Sequence, residues 1–112
     1  MKKEKILGLT HTEKMWLIQV KPTALAVKYL NAVLKQYDPS GYGLEFYDCD
    51  IENFSPKYKK WKNKSSMFFA GNECCYVFFM EDRIEILLRK DNEMFEKLKN
   101  EFLRYFEFVK PK

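Results

Sequence analysis

Much of what catalysis and cofactor binding draw on is scarce in this chain. There is one histidine, His11, in LTHTEK, and no motif sets it beside a nucleophile and an orienting acid. Thr10 and Thr12 flank it, and it reads as an exposed bystander in a polar terminal stretch. The three cysteines, Cys49, Cys74 and Cys75, have neither the even count of a secreted disulfide framework nor a C-x-x-C spacing. Neighbours such as Cys74 and Cys75 point to opposite faces if they lie in a strand, so they do not chelate one metal. They read as reduced, mostly buried thiols, which pack as small hydrophobes.

Glycine is also scarce. Gly41-Tyr42-Gly43 is a lone turn without phosphate-cradle or dinucleotide spacing around it. No catalytic or cofactor motif emerges, and a non-enzymatic protein without a cofactor is expected.

Long apolar runs are missing too. None approaches the ~20 residues of a membrane span. The start, MKKEKILGLTHTEK, is basic but lacks the continuous apolar stretch of a signal peptide. Together with the thiols, this makes the cytoplasm the expected location and a membrane partner unexpected. Arginine is nearly absent, at 3 against 17 lysines. Lysine acts as a point charge and lacks the fork that reads guanine edges or clamps phosphates, so a basic surface here senses charge rather than base sequence.

What is present is apolar and aromatic. Hydrophobic residues make up 46% and aromatics 17% of 112 residues. That is enough for one globular domain over 1–112 with a packed core. Met15 to Val20 reads as a strand, apolar on both faces. Pro22 and Thr23 then punctuate a helix start. The helix runs over about 23–37, with Ala26, Val27, Leu30, Val33, Leu34 and Tyr37 on one stripe. Asp38-Pro39-Ser40-Gly41 stops it.

Strands follow at about Leu44–Asp48, Ser66–Ala70, Cys74–Met80 and Arg83–Arg89, the last three joined by short turns at Gly71-Asn72-Glu73 and Glu81-Asp82. In the final strand Ile84, Ile86 and Leu88 share a face. A second helix is expected over about 92–106, capped by Asp91, with Met94, Phe95, Leu98, Phe102, Tyr105 and Phe106 inward. The order β-α-β-β-β-β-α predicts an α+β fold: a roughly five-stranded, mostly antiparallel sheet with two main helices packed on it.

Two charged segments carry the functional candidates. EFYDCDIE holds Asp48, Asp50 and Glu52, which share one face if the strand runs on to Glu52. Three carboxylates on one edge are weak candidates for a Mg²⁺ or Ca²⁺ site, and hence for a metal-dependent hydrolase. Acids are poor strand formers, so the better expectation is a solvated loop.

SPKYKKWKNKSS follows directly. Lys57, Lys59, Lys60, Lys62 and Lys64 carry five positive charges, whereas the whole chain is +4, so everything else sums to −1. The basic character is local. Tyr58 and Trp61 lie three apart among the lysines, and charge interleaved with aromatic platforms is how single strands are held without reading sequence. A short helix starting near Ser55-Pro56 would instead turn both rings inward and leave the lysines outside.

The expected function is therefore a small binding module. It engages an acidic partner through Lys57, Tyr58, Lys59, Lys60, Trp61, Lys62 and Lys64. That partner is nucleic acid, bound through its backbone or as a single strand. Alternatively it is a protein surface, as for an immunity, inhibitor or anti-defence protein of a mobile element.

Overall fold

A computed structural model of the chain describes residues 2–37, 54–63, 67–70 and 72–108. The expected strand at Leu44–Asp48 lies outside them. So do Asp48, Asp50, Glu52, Lys64 and Cys49. The described residues form an α+β fold with six strands and three α-helices: β1 (Glu4–His11), β2 (Met15–Val20), α1 (Ala24–Leu34), α2 (Phe54–Asn63), β3 (Met67–Ala70), β4 (Cys75–Phe79), β5 (Ile84–Arg89), α3 (Phe95–Tyr105) and β6 (Phe106–Phe108). A single 3₁₀ turn, Lys35–Tyr37, extends α1.

The strands form one mixed sheet in the order β3-β4-β5-β2-β1-β6. All pairings are antiparallel except β1 with β6. Because side chains alternate along a strand, register decides which residues meet on each face. Val77, Ile86 and Ile18 form one row across β4, β5 and β2, flanked by the rows Cys75–Leu88–Trp16 and Phe79–Ile84–Val20. All nine are buried and belong to one core cluster with residues from all three helices, so the helices share that face. Each fully buried aliphatic or aromatic side chain in it contributes about 1.5–3 kcal/mol relative to exposure. The opposite face carries the row Phe69, Tyr76, Leu87 and Leu17, each only half-buried.

α1 starts where Thr23, in extended conformation, accepts the Ala26 N–H at its Oγ1 (3.0 Å). The same hydroxyl donates to Glu4 on β1 (2.8 Å), so one residue caps the helix and ties it to the sheet. Ala26, Val27, Leu30, Val33 and Leu34 are buried as their spacing predicts, and Tyr29 joins them.

Three departures have local causes. β1 forms from a stretch whose lysines and glycine conceal its alternation. A tight hairpin turn closes it: the Thr12 N–H donates to the Met15 carbonyl (2.9 Å), and the Thr12 hydroxyl accepts from the Lys14 and Met15 N–H groups (3.2 and 3.1 Å). The last helix begins at Phe95, not near 92, because Asp91 is drawn to the Arg89 guanidinium (2.9 Å) and does not cap it. Asn92 instead accepts the Met94 N–H in an Asx turn (2.8 Å). At the other end Phe106 is fully buried, but as the first residue of β6 rather than the last of the helix. Its backbone is already extended (φ −124°, ψ 142°), and Phe106–Phe108 pairs parallel with Glu4–Ile6.

Candidate functional site

The lysine-rich segment is helical. α2 has no acid in it, and Phe54, Tyr58 and Trp61 recur at i, i+4 and i+7, which places them on one face. Pro56 sits in the first turn, where its missing N–H costs nothing. Lys60 and Lys62 occupy the last turn, where positive charge complements the exposed carbonyls.

The inward face is aromatic and dense. Trp61 is 1% exposed and Tyr58 7%. The Trp61 ring lies 4.9 Å from that of Phe79 and 5.7 Å, edge-on, from that of Phe68. Tyr58 meets Phe79 edge-on at 5.4 Å and Phe54 at 5.6 Å. Each such pair adds about 0.5–1.5 kcal/mol beyond area burial. α2 is therefore fixed to β3 and β4 by five rings, and neither Tyr58 nor Trp61 offers a face on which a base can stack.

The Tyr58 hydroxyl reaches the carbonyls of Met80 (2.6 Å) and Arg83 (3.1 Å), which bracket the β4–β5 turn. Burial, reinforced by the Asp82 and Glu81 carboxylates, pushes its pKa up to about 12, so it stays a donor. Lys62 holds the same turn from outside through Glu81 (2.8 Å). Glu81 was not a sequence candidate. The Glu81-Asp82 turn was legible, but its approach to α2 is a tertiary contact with no local signal.

Of the candidate lysines, Lys59 and Lys60 are exposed, Lys57 and Lys62 are half-buried, and Lys64 lies outside the described residues. The helix thus divides by chemistry, with rings in the core and ammonium groups at the surface. An open depression of about 230 Å³ adjoins it, lined by Pro22, Phe54, Ser55, Tyr58, Lys59, Lys62 and Glu81. That is below the usual size of a small-molecule site.

Other reactive groups lie apart from this surface. His11 is exposed at the end of β1, and the Thr12 hydroxyl beside it serves the hairpin turn. Burial raises the pKa of the Cys74 thiol and, further, that of Cys75, so both are held protonated and poorly nucleophilic. Among the described residues no three His, Cys, Asp or Glu side chains gather as a metal site, and no helix is long and apolar enough to cross a membrane.

Comparison with protein-family profiles, curated proteins and solved structures finds no match to this chain, so its functional reading rests on its own geometry.

Proposed function

We propose that the protein is a small non-enzymatic binding module whose α2 lysine face engages an acidic protein surface. One observation carries this reading: Tyr58 and Trp61 are turned into the core, so the outward face of α2 consists of charge without stacking platforms. Sequence-tolerant grip on single-stranded nucleic acid draws about 1–3 kcal/mol per base from stacking on aromatic side chains, and these two rings do not supply it. An ammonium group on a flexible stem suits exposed carboxylates on a partner, where charge complementarity speeds encounter and selects against the wrong surface. The surrounding Glu81 and Asp82 limit how far the basic field spreads and give the patch a boundary.

The test is fluorescence anisotropy with labelled polyglutamate and a labelled oligothymidylate, each at low and physiological salt. The expected result is polyglutamate binding at low salt that weakens with salt and is lost when Lys59→Gln and Lys60→Gln are combined. No polyglutamate binding at low salt overturns the proposal. Oligothymidylate binding that persists at physiological salt and quenches Trp61 fluorescence also overturns it, in favour of a nucleic-acid module.

A further inference from the structure

The depression beside α2 is small and mixed in chemistry. Phe54, Ser55, Tyr58, Lys59 and Lys62, all on one side of the helix, form its length. Pro22, just ahead of α1, and Glu81, in the β4–β5 turn, complete the lining. Phe54 and Pro22 are each half-buried, so both leave apolar surface open there. The Tyr58 ring backs that of Phe54 at 5.6 Å, and its hydroxyl is committed to the Met80 and Arg83 carbonyls. The walls are thus apolar and fixed by the core, while ammonium groups stand at the rim.

The rim is only partly satisfied within the protein. Two ammonium groups, Lys59 and Lys62, meet one carboxylate, Glu81, which leaves one net positive charge. Lys62 gives one N–H to Glu81 at 2.8 Å, and an ammonium group has three. The Lys62 side chain is 22% exposed against 82% for Glu81, so the lysine is braced by its surroundings and the acid can turn away into solvent. Lys59 is exposed and has no ion pair among the described residues. At about 230 Å³ the space suits one side chain rather than a whole small molecule.

We propose that this depression anchors the acidic partner, seating one apolar side chain against Phe54 and Pro22 and the carboxylate of a neighbouring Asp or Glu between Lys59 and Lys62. This rests on the reading of α2 as a surface for an acidic protein, and it supplies what a bare lysine face lacks. Exposed ion pairs add only about 0–1 kcal/mol each, whereas an apolar side chain seated in a pocket at the centre of an interface adds more. In the free protein Glu81 holds the place of the partner's carboxylate, and the two compete for Lys62.

Fluorescence anisotropy at low salt tests this with two labelled glutamate peptides, one with a central leucine and the other with a central serine. The leucine peptide should bind about threefold to tenfold more tightly. Ser55→Phe, which fills the depression from its lip and leaves every lysine in place, should remove that difference. Glu81→Gln should tighten both peptides about threefold, because it releases Lys62 and removes a like charge. Both positions are exposed, so both variants should fold, which circular dichroism checks. Equal affinities for the two peptides overturn the proposal; if Lys59→Gln with Lys60→Gln still abolishes both, the broader reading of α2 stands without the depression. A leucine preference that Ser55→Phe leaves intact also overturns it, since the leucine then sits elsewhere, as does an affinity that Glu81→Gln leaves unchanged. Binding of neither peptide overturns both the proposal and the reading beneath it. Oligothymidylate binding that Ser55→Phe abolishes counts against it too, because the apolar wall then receives a base.

Discussion

The two flanks of the sheet invert what their sequences suggest. At the β3–β4 flank, FSPKYKKWKN is among the most polar stretches of the chain, yet it contains Trp61, one of its most completely buried large side chains. At the β1 flank, ILGLTHT has no charge at all, yet Leu7 and Leu9 are exposed. Average hydropathy misplaces both. Helical periodicity groups the first: three rings form one stripe, which Phe68 and Phe79 hold inward, and the lysines between them are left the solvent side. The second depends on the sheet edge. An apolar side chain on a strand is covered only if a neighbour lies beside it, and among the described residues the β6 pairing reaches only Ile6, short of Leu7 and Leu9.

This contrast is most easily broken at Trp61. Trp61→Ala should destabilise the protein by about 3–5 kcal/mol, through lost transfer energy and the cavity left against Phe68 and Phe79. Leu7→Ala at the other flank should change stability by no more than about 0.5 kcal/mol. Urea-denaturation midpoints would compare the two, and similar losses would refute the assignment of one stretch to the core and the other to the surface.

Tyr58 makes the next largest contribution. Its folded pKa of about 12 stands above the ordinary 10.0, so between those values the unfolded chain has released a proton that the folded chain retains. The stabilisation is fully present below pH 10 and is lost as pH climbs towards 12. The buried Cys75 thiol acts in the same direction. Tyr58→Phe should cost about 1 kcal/mol at neutral pH, for the lost bonds to the Met80 and Arg83 carbonyls, and should flatten the alkaline fall. Denaturant titrations across pH 9 to 12 would check both effects; an unchanged alkaline slope in the variant would assign the loss elsewhere.

Smaller effects are expected on the outer side of the same helix. Lys62→Ala removes an ion pair whose acid is largely exposed, so it should cost less than about 1 kcal/mol and less still in high salt. Lys59→Gln with Lys60→Gln should leave stability within about 0.5 kcal/mol while abolishing polyglutamate binding. A large stability loss from that pair would mean that the lysine face is structural.

The helix α1, the strands β2 to β5 and the α+β class were legible because each carries its own periodicity and punctuation. Thr23 caps as its sequence position suggests, and Ile84, Ile86 and Leu88 are inward as their alternation requires. β1 and β6 were not legible. Lys5 and Gly8 mask the alternation of β1, and Phe106–Phe108 looks like helix until it docks beside Glu4–Ile6. Asp91 resembles a helix cap, yet a guanidinium two residues earlier claims its carboxylate and holds its pKa below the usual range. The candidate site was half legible. Its lysines and its rings were identifiable from sequence, but which side each would take depended on Phe68 and Phe79, supplied by strands that follow in the chain.

The central claim is that α2 turns its rings inward and only its lysines outward. Iodide and acrylamide quenching of Trp61 fluorescence tests this most directly, in a Trp16→Phe background that leaves one indole. The predicted result is a blue-shifted emission protected from both quenchers and unchanged by a single-stranded oligonucleotide. A red-shifted, readily quenched emission from a chain that remains folded would contradict it.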